Sequence, residues 1–367
     1  MEEELMATFD VSPLERPKTA EPWKKISPKT KVLMLLAGVV PAVISMVVLA
    51  ATGANFMAVL WPVFLPLQIL ASILVGVQAF GRRGISTALL YTVTIFFSAI
   101  VLVLLTSVIW SLVQAGSKAL SPHFFYQNNN YIATNTSLEY GGVGHAILGT
   151  VLIVGVTTII TIPLAIATGV YLTETRGKGR GTVRVLLQAM SGLPSVVAGL
   201  FVYSMLIVTG ITQYAGWAGS VALIPLMLPT VARVTEEALR LVPVELRNGA
   251  LALGAPAWRA FMQVTLPAAR SGIMTAVLLG LARVLGETAP LLLTTNPGSA
   301  TNLNIFEGPM ATLPTYIFNF ISQGFDSSYQ RAWGAALVIM IMVAVLFTLA
   351  RVINRPVGEF RNKGKKK

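Results

Sequence analysis

"VPVELRNGALALGAPAWRAFMQVTLPAARSG", Val242 to Gly272, breaks a succession of long apolar runs with a pattern of its own. Pro243 suits the first turn of a helix, where a missing N–H costs nothing. Leu246, Ala250, Leu251 and Leu253 then recur at broadly helical spacing. Gly254 can take the left-handed conformation that ends a helix, and Pro256 is placed to begin the next. Pro267 is expected to end that second helix. The stretch therefore predicts two short amphipathic helices meeting at a sharp bend, in a loop of about 235–271 outside a membrane.

The rest of the chain supplies that membrane. Of 367 residues 54% are hydrophobic and only 11% charged, with mean hydropathy +0.72. A soluble domain carries about 25% charged residues, so water-facing surface is scarce. Apolar runs of about 20 residues identify transmembrane helices. Eight stand out, at 32–53, 56–80, 86–114, 143–172, 183–210, 218–234, 272–295 and 333–353. The fold class is an all-α polytopic membrane protein of about eight transmembrane helices. The first two spans, joined through "TGAN", form a helical hairpin. Pro194 and Pro225 are expected to bend their helices.

Of the 27 lysines and arginines, all but Lys118, Arg283 and Arg331 fall in segments on one side. The positive-inside rule makes that side cytoplasmic and puts both termini there. The net charge of +12 belongs to such loops and not to a nucleic-acid partner. The domains are then a cytoplasmic tail (1–31), a two-helix transmembrane extension (32–84), a core (85–355) and a basic cytoplasmic tail (356–367). The external loops are 115–142 and 296–332. Cysteine is absent, so thiolate and disulfide chemistry are excluded. His123 and His145 have no neighbouring ligand pattern, and no metal site is expected. There is no GxxxxGK[ST] phosphate loop. "GKGRG" at Gly177–Gly181 reads as a basic turn, so any ATP hydrolysis belongs to a partner, and no catalytic residue is assigned.

The opening stretch resembles the "EAA" loop of type I ABC importer permeases (the MetI-like transmembrane domain), with its E-A-A, glycine and I-x-L-P places. Those places are held here by Asn248, Gly249 and Ala250, then Gly254, then Val264, Leu266 and Pro267. Asn and Gly replace the family's Glu and first Ala. "GGVGHAILGTVLIVGVTTIITIPLAIATGVYLTE", "MSGLPSVVAGL", "GETAPLLLTT" and "TLPTYIFNF" further resemble the PstA-type permease subunit of bacterial phosphate importers, over about 86–355. The resemblance implies a six-helix importer core and an ATP-driven phosphate permease in the bacterial plasma (inner) membrane. It also implies a PstC-like second permease, two PstB-like ATPases that bind the ATP and Mg, and a PstS-like phosphate-binding protein. The loop residues above would dock the ATPase. The N-terminal hairpin lies outside the resemblance.

One further stretch is unusual. "GLARVLGETAP" carries Arg283 and Glu287 within the seventh apolar run. A central arginine costs about 2.5–3.5 kcal/mol on insertion scales. An Arg-before-Glu pair at i,i+4 returns only about 0.2–0.5 kcal/mol. The pair is therefore expected in the bundle interior beside Gly280, Ala282 and Gly286. There Arg283 would supply a positive field for an anion, with Glu287 restraining it. Thr288, Ser191 and Ser195 are the candidate lining hydroxyls. The alternatives are a PstC-type subunit, a permease for another oxyanion, an ion-coupled transporter using Glu287 as a proton relay, or a non-transporting scaffold.

Overall fold

The computed structural model describes residues 28–53, 56–80, 84–133, 135–175, 177 and 179–353. The N-terminal tail up to residue 27, the Arg82–Arg83 pair and the basic tail beyond 353 lie outside them. Every regular element among the described residues is helical.

Two compact units divide the chain, 1–108 and 109–367. In the first, α1 (Pro28–Thr52) packs against α3 (Leu65–Phe80), which α2 (Phe56–Val59) enters through a π-helical turn at Leu60–Phe64. Pro62 lies inside that turn. The hairpin expected at 32–80 is thus present. Its outward side chains, such as Leu35, Met46, Leu70 and Leu74, are apolar and exposed. The long helix α4 (Gly84–Gly116) starts in this unit and ends in the second. Its run from Val101 to Leu105 is exposed and apolar all round, as suits a helix surrounded by hydrocarbon.

The second unit is organised around α9 (Gly216–Arg240), whose residues are mostly buried. Pro225 and Pro229 lie inside α9, yet the helix runs through both. α6 (Gly144–Glu174) packs along α9. Its 31 residues reach about 46 Å at 1.5 Å per residue, more than the hydrocarbon thickness. Small and polar residues allow close approach between such helices. Ser220 Oγ donates to the Ile153 carbonyl at 3.0 Å, and Thr157 Oγ1 to the Ser220 carbonyl at 3.2 Å. Leu223, Leu226, Met227, Val231 and Ala232 of α9 make the centre of the core, together with Ile153, Ala165 and Leu172 of α6. α13 (Arg270–Leu285) closes on the same helix, where Gly280 leaves room for Val231 and Met227.

Two predicted spans are not single helices. The run expected at 183–210 is α7 (Gly179–Ser191), then α8 (Ser195–Val202) continued by a π-helical stretch at Tyr203–Val208. The two parts meet at 99°. The cause is Pro194, which keeps Leu193 out of the helical region. The run expected at 272–295 is α13, a break at 286–288, and α14 (Ala289–Thr294). Gly286 ends α13 at φ −95°, ψ 0°, and Pro290 falls in the first turn of α14, where proline is tolerated. Among the described residues six helices are long and apolar enough to cross a membrane, or eight if Gly179–Ser191 with Ser195–Val208, and Ala257–Ala268 with Arg270–Leu285, each count as one bent span.

At the end of the bundle remote from 242–272, the two predicted external loops are ordered against each other. α5 (Pro122–Tyr126) and α15 (Leu313–Ile321) lie within them. α16 (Asp326–Ile353) then runs back along the bundle. Asn129 N–H donates to the Ser299 carbonyl at 3.0 Å, and Asn129 Nδ2 to the Tyr316 hydroxyl at 3.1 Å. Arg331, in the second turn of α16, is 0% exposed. It donates to the carbonyls of Thr136, Ser137 and Tyr140 at 3.0, 2.8 and 2.9 Å. Burial pushes the Tyr316 phenol above its ordinary range, so it stays protonated.

Candidate functional site

The predicted bend in the opening stretch is built by a Schellman turn. α10 (Val244–Ala252) ends with Gly254 at φ +85°. Gly254 N–H reaches the Leu251 carbonyl at 2.9 Å, and Ala255 N–H reaches the Ala250 carbonyl at 3.1 Å. That pairing satisfies the last carbonyls and needs a residue tolerant of positive φ. Pro256 caps α11 (Ala257–Ala260), as its spacing suggested. Pro267 does not end the second helix. A π-helical turn at Phe261–Thr265, closed by Leu266 N–H to the Phe261 carbonyl, carries the helix into α12 (Leu266–Ala268). The wider turn moves the carbonyl that a proline ring would strike in a regular helix. The chain turns by 65° only at Ala269, before α13.

Asn248, Gly249 and Gly254 are exposed, and Ala250, Val264 and Leu266 half-buried, with Pro267 exposed between them and α13. Around them stand Leu241, Val244, Leu246, Leu251, Leu253, Trp258 and Met262, all exposed, Leu253 at 91%. The Arg259 guanidinium lies over the Trp258 ring at 5.4 Å. The patch is held to the bundle by Arg247, whose two terminal nitrogens meet the two Glu174 oxygens at 2.8 and 2.6 Å. Trp258 was not singled out from the sequence, although a tryptophan on an amphipathic loop helix is a usable signal.

Arg283 and Glu287 are arranged differently from the expectation. Arg283 lies in the last turn of α13, where the helix dipole favours a cation. Glu287 lies beyond the Gly286 cap, so the i,i+4 face-sharing of a continuous helix is lost. No ion pair joins them among the described residues. Nor is the pair interior to this chain, since Arg283 is exposed and Glu287 half-buried. Of the small neighbours, Gly280 does admit a second helix, whereas Gly286 has open space around it. The Arg283 guanidinium donates to Thr230 Oγ1 on α9 at 3.1 Å. One turn on, Arg233 occupies the same exposed face of α9, also without an ion pair among the described residues. Arg233 falls at the edge of the run expected at 218–234, beside the loop of about 235–271. Its position within the helix that binds Arg283 was not readable from charge counting.

The hydroxyl candidates sit at the two breaks. Ser191 closes α7 and donates to the Leu187 carbonyl at 2.8 Å, so its proton is spent within its own helix. Ser195 opens α8, and Thr288 caps α14 without a side-chain cap bond. Gly199 presses directly on Pro290, and Ala215 N–H, after α8, reaches the Thr294 carbonyl at the end of α14. The two short helices therefore pack against each other. Ser195 and Thr288 stand at their starts.

Residues 161–358 match the family described as "Binding-protein-dependent transport system inner membrane component". The chain is 37% identical over 277 residues to "Phosphate transport system permease protein PstA 1" of Mycobacterium tuberculosis (strain CDC 1551 / Oshkosh). That match covers 74% of this chain and 90% of the relative. The chain belongs to the PstA permease family. To the PstA of Pasteurella multocida (strain Pm70) the permease is 36% identical over 275 residues, covering 74% of itself and 96% of that relative. A bacterial alginate ABC transporter, solved with an alginate pentasaccharide-bound periplasmic protein, shares the fold. Its TM-score is 0.51 at 19% identity, over 73% of this chain and 94% of that one.

Proposed function

We propose that this permease is one transmembrane subunit of an ATP-driven importer of inorganic phosphate. A PstC-like permease would share the pathway, two PstB-like ATPases would hold the ATP and Mg, and a PstS-like protein would deliver phosphate from outside. The membrane is the bacterial plasma membrane, with both termini and the 235–271 loop cytoplasmic. The observation that carries the reading is an exposed arginine, Arg283, held by Thr230 and not consumed by a carboxylate. A permease that lined its pathway alone would enclose that charge. One that meets a partner across the pathway leaves it open on the partner's side.

Arginine suits the substrate because its planar donors match two phosphate oxygens at once. The contact must also be weak enough to release its ion. Thr230 orients the guanidinium without neutralising it, and Arg233 extends the positive field by one turn. Glu287 sits near enough in sequence to moderate that field without closing an ion pair. Asn248, Gly249, Ala250, Gly254, Val264, Leu266 and Pro267, with the surrounding apolar patch, would seat in a groove on the ATPase, in the manner of a helix in an apolar cleft. No chemical step is assigned to this chain.

The test is uptake of radiolabelled phosphate by vesicles containing the assembled importer and ATP. Arg283→Ala is expected to assemble with its ATPases and lose uptake. Uptake at the wild-type rate by that variant would remove Arg283 from the pathway.

A further inference from the structure

Glu236 lies in the last turns of α9 with its side chain 12% exposed. One of its oxygens, Oε1, accepts from two arginines at 2.6 Å each. Arg240 comes from the next turn of α9 itself. Arg184 comes from the middle of α7. The first pair alone would neutralise the carboxylate, so the second adds a tie between helices.

That tie adds to a thin packing of α7 on the core, made by Leu187 with the partly buried Val183. Among the residues of α7 only Leu187 is buried. α7 is joined without a spacer to the 99° bend, with Ser191 on one side and Ser195 on the other. α9 is joined just as directly, through Leu241 to Pro243, to α10 and the docking patch. A displacement of α10 and the end of α9 thus reaches the bend along two short rigid segments and one ion pair. Arg247–Glu174 forms a parallel tie, but it leads from α10 to the end of α6 and not to the bend.

We propose that Arg184–Glu236 is the positioning link that passes movement of the ATPase-docking segment to the broken helix at the pathway. This rests on the importer reading above. When the link is cut, α9 and α10 still follow the ATPase while α7 slips, and hydrolysis runs without opening the pathway. The Arg184 side chain is half-exposed and Glu236 keeps Arg240 when Arg184 is lost, so the cut costs little stability and coupling and folding should separate.

The experiment uses the full importer in vesicles and measures phosphate transported per ATP hydrolysed. Arg184→Gln leaves Glu236 paired with Arg240, so the buried carboxylate is not orphaned. Hydrolysis is expected to continue while the ratio falls at least about fivefold, the lower range of measured coupling factors. Arg184→Met makes the same cut with the aliphatic stem kept, and should behave alike. Arg184→Lys, which retains the charge, should recover much of the ratio. Arg240→Gln, which cuts only the pair within α9, should leave it unchanged. The proposal is overturned if Arg184→Gln and Arg184→Met keep the wild-type ratio, or if Arg240→Gln lowers it equally. A wild-type importer that hydrolyses ATP without moving phosphate would instead overturn the importer reading, independently of any variant.

Discussion

At the scale of single residues, charges that look alike in the sequence have opposite fates. Lys118 and Arg331 were both placed in external segments, which describes their position along the chain but not their burial. Arg331 is enclosed, and its two terminal nitrogens meet three backbone carbonyls from about 190 positions away in sequence. Carbonyls carry no side-chain signature, so this role was not legible beforehand. Hydrogen bonds to a charged group are each worth about 1.5–3 kcal/mol, offset by desolvation. Arg331→Met is therefore expected to lower stability by on the order of 3 kcal/mol. It should also expose the 127–143 segment to protease, as read by limited proteolysis and thermal unfolding in detergent. Wild-type protection would show that the three carbonyls find water or other donors instead. Gly199 makes a contrasting case. A side chain there would strike the Pro290 backbone, a position that a flexible neighbour cannot vacate. Gly199→Val should cost about 1–3 kcal/mol by overpacking and separate α8 from α14, lowering uptake together with the unfolding midpoint.

At the scale of elements, existence was legible and continuity was not. Apolar length located each spanning segment, and the glycine-to-proline spacing located the turn at Gly254. Hydropathy averages over a break, however. "SGLPS" and "GETAP" read as parts of long runs, although Pro194 and Gly286–Pro290 end helices there. The reverse holds for Pro267, which looked like a stop and lies within a continuing helix, and α9 likewise runs on through Pro225 and Pro229. In α9 tight packing on both sides outweighs the lost hydrogen bonds, and at Pro267 a π-helical turn absorbs the ring. Gly254 tests the local logic directly. An L-residue forced into the left-handed region costs roughly 1–2 kcal/mol, and open space surrounds Gly254, so strain and not collision decides the outcome. Gly254→Ala should leave the unfolding midpoint of the isolated permease nearly unchanged, because the turn is exposed and can fray locally. Recovery of the ATPase on co-purification should drop. Undiminished recovery would mean that the bend tolerates a shifted turn.

At the scale of the whole molecule, the additional hairpin and the orientation of the bundle are both open to measurement. The Mycobacterium relative is matched over 90% of its length by 74% of this chain, so about a quarter of this chain has no counterpart in that match. A variant beginning near Gly84 is accordingly expected to assemble and transport. Failure to assemble would make α1 to α3 part of the working permease. Orientation was inferred from lysine and arginine placement alone, and the fold supplies two well-separated probes for it. Leu253 is 91% exposed on the patch proposed to dock the ATPase, and Leu303 is 71% exposed in the segment between α14 and α15. The sequence contains no cysteine, so a single cysteine at either site reports without background. In intact cells with the outer barrier opened, a membrane-impermeant maleimide should label Leu303→Cys and leave Leu253→Cys unlabelled. In inside-out vesicles lacking the ATPase, the pattern should reverse. The same pattern in both preparations would break the link between charge placement and sidedness, and would move the docking loop away from the compartment that holds ATP.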